Sequence, residues 1–310
     1  MMRDPASGGG RRRSGCCGGS QALSSLLFGV YVVVAALLVG ATAAFMRLFS
    51  PLGFKYQKVP GPPALPYMGL NTNPVFAWHP ILLTIAYAAL MGSALLSFTG
   101  GLAGRKPPSP KNRALRKNIH ASLHALAGVF IGLGLAAVFT SQKAAGRPLF
   151  YTGHSWVGIG SIGLYALNFI GGFASFLLPC TPGSVRKAML PFHNFVGWLA
   201  FGTGLQAIAS GIEEMRVLIL TVYMPTNSIP QGNILPLGVL LPLAQVLLSA
   251  LIATALAHAM LTSRGRTRAA VEGAVDEVSG GGGGKFGVGD GAQQYQHHDN
   301  GLLPSAPAAV

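Results

Sequence analysis

The sequence predicts an all-α membrane protein with six transmembrane helices, the middle four forming a central bundle. Two observations carry this. Half of the 310 residues are hydrophobic and only 10% are charged, with a mean hydropathy of +0.48, whereas a soluble domain holds far more charge. Charge-free windows also recur at about 22–46, 76–100, 118–142, 154–180, 190–212 and 234–261. Each is long enough to supply the ~20 apolar residues that cross a ~30 Å hydrocarbon layer as a helix. The runs are continuous, not alternating, which sets aside a β-barrel.

In chain order, residues 1–21 form a basic N-terminal tail read as disordered. The first window follows Arg11, Arg12 and Arg13 and contains Ala41, Thr42 and Ala43, which invites comparison with a cleaved signal peptide. Its apolar core is too long for one, so it is read as a helix. The second window opens with F-A-W-H-P, the third with K-N-I-H-A-S-L-H, the fourth with Y-T-G-H-S-W and the fifth with P-F-H-N-F. The sixth closes the membrane domain at about residue 262. Residues 263–310 are polar and glycine-rich, with too little apolar surface to offset ordering entropy, and are read as a disordered tail.

The basic residues orient the chain. With the N-terminus cytosolic, six of the 22 Lys and Arg residues (Arg47, Lys55, Lys58, Lys143, Arg147, Arg216) fall on the opposite side and the other sixteen on the cytosolic side, the bias of a correctly oriented membrane protein. Both termini are therefore expected in the cytosol. The formal charge of +14 is topological and calls for no nucleic-acid partner; it favours contact with anionic membrane lipid.

Six of the eight histidines lie in or at the spans, where an ionisable group costs roughly 2.5 kcal/mol or more and points to function. His79, His120, His154 and His193 each open one of four consecutive helices. Since successive helices alternate direction, His79 and His154 share one face, and His120 and His193 the other. Two imidazoles converging at one depth supply both axial ligands of a haem iron. Such a six-coordinate iron suits electron transfer over oxygen activation. Ordinary interfacial histidines explain any one of these positions, but no packing rule asks for the parity of all four. The expectation is two haems, one near each face.

Other features carry less. His124 lies one turn from His120 on nearly the same face, which suits a supporting or proton-handling role; as a zinc motif, H-A-S-L-H lacks the glutamate and the third ligand. His258 is read as a satisfied core or interfacial residue. Gly158 to Gly163 spell G-x-G-x-x-G, but inside a span and with no strand before it, so no nucleotide site is read there. Gly128 with Gly132, and Gly197, Gly202 and Gly204, permit close helix or macrocycle approach. Arg113, Lys117, Arg186 and Lys187 stand beside the cytosolic pair, where an anionic reductant needs charge-assisted partners. Tyr151, Ser155 and Trp156 surround His154. Glu213 and Glu214 end the fifth span and are read as solvated. A rival class, a haem-free transporter relaying protons through these histidines, needs ion-coupling carboxylates within the spans, and no Asp or Glu lies in any of the six windows.

These motifs resemble the cytochrome b561 family, over about residues 70–262. The resemblance implies two haem b groups, His79 with His154 and His120 with His193. It also implies ascorbate as cytosolic reductant at Arg113, Lys117 and the Arg186–Lys187 pair, an acceptor site at Tyr151, Ser155 and Trp156, and a homodimer. Monodehydroascorbate or a ferric chelate would be the acceptor, making the protein a transmembrane oxidoreductase. Two positions depart from the family pattern: Arg113 stands where lysine is usual, and Gly153 where the motif commonly reads Y-S-L-H-S-W.

Overall fold

The computed structural model describes residues 17–49, 74–98, 110–144, 146, 148–223 and 231–280. Among these there is no strand. Helix α1 runs Cys17–Phe49; α2 (Trp78–Thr84) and α3 (Gly92–Phe98) are joined through a widened helical stretch, Ile85–Met91, into a single span; α4 runs Pro110–Ala144, α5 Gly153–Gly172, α6 Gly183–Leu218 and α7 Gln231–Gly280. Six stretches are long and apolar enough to cross a bilayer: Ala22–Phe49, Val75–Ser97, Asn112–Ala144, Gly153–Leu177, Gly183–Thr221 and Leu235–Thr262. The chain is an integral, multi-pass membrane protein. Large apolar side chains face outward all around it, Leu167, Val246 and Phe195 among them, as they must where the surrounding solvent is hydrocarbon.

The spans agree with the hydropathy windows except where polar residues belong to a helix without belonging to an apolar run. The fifth helix begins at Gly183, not near 190, because Pro182 sets its first turn and the Arg186 N–H already donates to the Pro182 carbonyl (3.2 Å). The third begins at Pro110, a residue suited to a first helical position because its missing N–H would go unpaired there anyway. At the other end, the stretch read as a disordered tail from 263 is helical to Gly280. Its R-A-A-V-E-G-A-V-D-E-V is rich in helix formers, a local preference that an apolar-window reading ignores. Residues 1–266 form one compact unit and 267–310 a second; the glycine-rich run beyond 280 and the tail before 17 lie outside the described residues.

Two antiparallel helical hairpins make the bundle, α2–α3 with α4 and α5 with α6, and α1 packs along the first of them. One core cluster gathers Tyr31, Ala35 and Leu38 from α1 with Ala86, Tyr87, Met91, Ala127, Ile131, Tyr165, Ala200, Phe201 and Leu205; Ala244, Leu248, Leu251 and Ala255 of α7 close it. Many are alanines, which lets backbones approach where no hydrophobic force drives helices together in lipid. Glycine does the same at specific crossings. A Cβ at Gly204 would collide with the Tyr87 ring, one at Gly134 with Leu83, and one at Gly92 with the Tyr31 hydroxyl. The small-residue pairs seen in the sequence are used unevenly: Gly128 meets Tyr165 and Gly197 meets Asn168, whereas Gly132 and Gly202 face open space.

Buried polar groups hold the bundle in register. The fully buried Tyr31 hydroxyl donates to the Ala88 carbonyl (2.6 Å), inside the widened stretch where the helical ladder is distorted. Ser161 donates to the Ala200 carbonyl (2.9 Å) and bonds the Tyr87 hydroxyl (3.0 Å). His258, also fully buried, pairs through Nε2 with Ser24 Oγ at 3.0 Å, tying the sixth span to the first.

Candidate functional site

The four span-opening histidines meet as the helix parity requires. The ring centres of His79 and His154 are 6.1 Å apart with planes at 87°, and those of His120 and His193 are 6.2 Å apart at 69°. Two imidazoles on opposite sides of one iron, each at a metal–nitrogen distance of about 2.0 Å, have ring centres roughly 6.3 Å apart, since the ligating nitrogen lies about 1.1 Å from its ring centre. Both pairs have that spacing. Among the described residues no three His, Cys, Asp or Glu side chains converge as the three or four protein donors of a zinc site do; the span-opening histidines meet in pairs.

Three of the four imidazoles are fixed by the helix that runs antiparallel to their own. His79 Nδ1 donates to the Gly134 carbonyl (3.1 Å) and His120 Nδ1 to that of Ala94 (3.0 Å), an exchange within the first hairpin. In the second hairpin His154 Nδ1 donates to the Ala207 carbonyl (2.9 Å), with Ser210 Oγ 3.4 Å away. His193 Nδ1 faces the Asn168 carbonyl without a hydrogen bond of normal geometry. An Nδ1–H committed to a carbonyl fixes the tautomer in which Nε2 carries the lone pair a metal needs. In every helix the ligand and the anchoring carbonyl are about four turns apart, roughly 21 Å at ~1.5 Å per residue. Both levels therefore fit inside one ~30 Å hydrocarbon layer.

Packing supports the same assignment. A Cβ at Gly172 would stand 2.6 Å from His193 Cε1, and one at Gly211 would stand 3.0 Å from His154 Cε1, so each ring lies against a helix with no side chain at that point. A cavity of about 370 Å³ opens between His79 and His154, within the size range of cofactor pockets. Its walls are mostly apolar and include Gly158, Tyr87, Ser161 and Gly204. Of the G-x-G-x-x-G run, Gly158 lines this cavity with nothing within 4 Å of where a Cβ would be, leaving room beside His154.

The remaining sequence-derived positions divide. Tyr151 and Ser155 line the cavity; Trp156 does not, being 65% exposed on the outer face of α5. Thr152, which the sequence reading passed over, also lines it; it caps α5 by accepting from the Ser155 N–H at 3.2 Å. His124 sits beside His120, ring centres 4.4 Å apart, and its carbonyl accepts from the Tyr165 hydroxyl. Lys117 is half-buried, and Arg113 and Lys187 are exposed. Arg186 is engaged with the fourth span, one terminal nitrogen donating to the Leu178 (3.0 Å) and Pro179 (3.4 Å) carbonyls. Glu214, read from sequence as solvated, lines the cavity and accepts from Thr152 Oγ1 at 3.4 Å. Its neighbour Glu213 points away, in an ion pair with Arg216.

Comparison with known proteins completes the picture. Residues 78–218, the span from His79 through His193 and on to the end of α6, match the family model for eukaryotic cytochrome b561. Over these residues the chain is similar to a cytochrome b561 membrane domain. It is 32% identical over 190 residues to the plasma membrane ascorbate-dependent reductase CYBRD1 of Mus musculus, covering 61% of this chain and 60% of that one. It is 34% identical over 145 residues to the lysosomal membrane ascorbate-dependent ferrireductase CYB561A3 of Danio rerio (47% and 57% covered). Identity is also 34% over 150 residues to the probable ascorbate-specific transmembrane electron transporter 1 of Oryza sativa subsp. japonica (48% and 61%). The chain thus spans between half and about three-fifths of the length of the curated relatives it matches. Cytochromes b561 bind haem b, and the paired imidazoles, their carbonyl anchors and the glycine-backed rings fit that group.

Proposed function

We propose that this cytochrome b561-like domain carries electrons across the membrane, from ascorbate on the cytosolic face to an acceptor on the opposite face. The observation that carries it is the pair of bis-imidazole spacings, 6.1 and 6.2 Å, each near one face of the bundle. Haem held there supplies a reversible one-electron iron couple with no open coordination position. His79 and His154 would hold one haem b, and His120 and His193 a second. Backbone carbonyls on the partner helices orient three of the rings, and mostly apolar walls surround His79 and His154.

Both termini lie in the cytosol in this reading, which puts the His120/His193 level on the ascorbate side. Lys117, Arg113 and Lys187 give that face its positive charge and attract the ascorbate anion. Arg186 contributes charge while holding the end of the fourth span against the start of the fifth. The acceptor, monodehydroascorbate or a ferric chelate, approaches the other level through the cavity mouth by Tyr151 and Ser155.

Detergent-purified protein expressed with ample haem tests this directly. Two haems per chain and reduction by ascorbate are expected, and His154→Ala should lose one haem while leaving the other reducible. A folded but colourless preparation would refute the reading.

A further inference from the structure

The two faces of the bundle differ in charge, and the difference bears on what can accept the electron. Near His120 the side chains are cationic. In the cavity between His79 and His154 the only charged side chain among the described residues is a carboxylate, Glu214. Its site is a constructed one. Ala207 and Gly211, which fix and back the His154 ring, lie two turns and one turn before it on the same face of α6, and Thr152 Oγ1, at the cap of α5, donates to it. The same lining carries Gln142, whose buried Oε1 has no hydrogen-bond partner. The lining also carries uncharged hydroxyl groups, among them those of Thr42, Tyr151, Ser155 and Thr221. Among the described residues the cations of this face are otherwise placed: Arg216 is paired with Glu213, and Arg47 and Lys143 are exposed and outside the lining.

We infer that Glu214 is an acceptor-selecting residue: with Gln142 it forms an oxygen-donor subsite that favours cationic electron acceptors, ferric iron carried by water or neutral ligands, over anionic ones. The inference rests on the electron-transfer reading above and narrows its acceptor. A hard trivalent cation prefers carboxylate and carbonyl oxygen. An anion such as monodehydroascorbate would have to approach a fixed negative charge in a cavity lined, among the described residues, by no Lys or Arg, in surroundings where charges are weakly screened. One electron, originating in ascorbate, converts Fe(III) to Fe(II) with no bond made or broken and no proton moved. The lower charge of the product weakens its hold on the carboxylate and favours release.

The test uses the haem-loaded protein in neutral-lipid nanodiscs. After reduction with ascorbate, it is reoxidised by hexaammineruthenium(III), a trication, or by ferricyanide, a trianion, over a range of salt concentrations. In the unaltered protein the cation rate should fall as salt rises, and the anion rate should not. Glu214→Gln should slow the cationic acceptor about tenfold and leave ferricyanide equal or faster, whereas Glu214→Asp should keep the preference. Independently of haem, terbium(III) luminescence sensitised by Tyr151 should report a site that weakens at least tenfold in Glu214→Gln and is unchanged in Glu213→Gln. An unaltered protein whose cation rate is insensitive to salt overturns the inference, as does terbium binding indifferent to Glu214. A preparation without haem or without ascorbate reduction overturns the electron-transfer reading instead, and the terbium result still decides the subsite.

Discussion

Replacing Gly172 with alanine should selectively weaken the His120/His193 haem site. The added methyl would lie 2.6 Å from His193 Cε1 and 3.0 Å from Nδ1, against an ordinary carbon contact of about 3.5–4.0 Å. The ring must move by roughly 1 Å to relieve this, since van der Waals contact begins near that distance. His193 is the histidine of the four whose Nδ1 lacks a hydrogen bond of normal geometry, so the ring moves in preference to the helix. Disturbing the groups that orient a metal-bound histidine typically costs 10- to 100-fold in affinity, about 1.4–2.7 kcal/mol. Gly211→Ala applies a gentler version to His154, at 3.0 Å from Cε1 and 3.2 Å from Nδ1, and should fall at or below the lower end of that range. Gly160→Ala, with nothing within 4 Å, should leave both sites intact and favour the helix by up to about 1 kcal/mol. Haem titration of apoprotein, followed at the Soret band, ranks the three. Equal affinity in Gly172→Ala and Gly160→Ala would mean that the His193 ring does not occupy the position on which the pairing depends.

Two further outcomes follow from the same geometry. Ser24→Ala removes the hydrogen bond that ties the fully buried His258 to α1 and should destabilise the protein by about 0.5–1.5 kcal/mol, the net worth of one such bond; reversible unfolding in mixed micelles would register it, with haem content unchanged. Trp156→Ala should leave the reoxidation rate by any soluble acceptor unchanged within twofold, because this side chain is 65% exposed outside the cavity; a tenfold loss would place the acceptor route on the outer face of α5.

Much of the architecture is legible in the chain because lipid imposes simple demands. A span must be continuously apolar, so six charge-free windows announce six helices; an ionisable residue in such a run is costly, so four histidines at four helix starts are conspicuous. Direction alternates between helices, which sorts them into two pairs before any coordinate is known. That Trp156 lies outside the cavity is also legible in the sequence. His154, Ser155, Gly158, Ser161 and Ile162 share one helical stripe, and Trp156 falls off it by roughly 100° per residue.

Other features are written only in three dimensions. The carbonyls of Gly134, Ala94 and Ala207 that orient the histidines are backbone groups, identical in every residue, and only the crossing of two helices selects which of them meets an imidazole. The widened stretch around Tyr87 and its hydrogen bond to Ser161 arise from packing between hairpins, not from a local signal. Glu213 and Glu214 are adjacent and alike in the sequence, yet one pairs with Arg216 at the surface and the other lines the cavity beside His154, because neighbouring residues on a helix point about 100° apart. Composition and periodicity thus determined which segments enter the membrane and which residues are costly there; the relative rotation of the packed helices, set by contacts between residues distant in the chain, decided what those residues face.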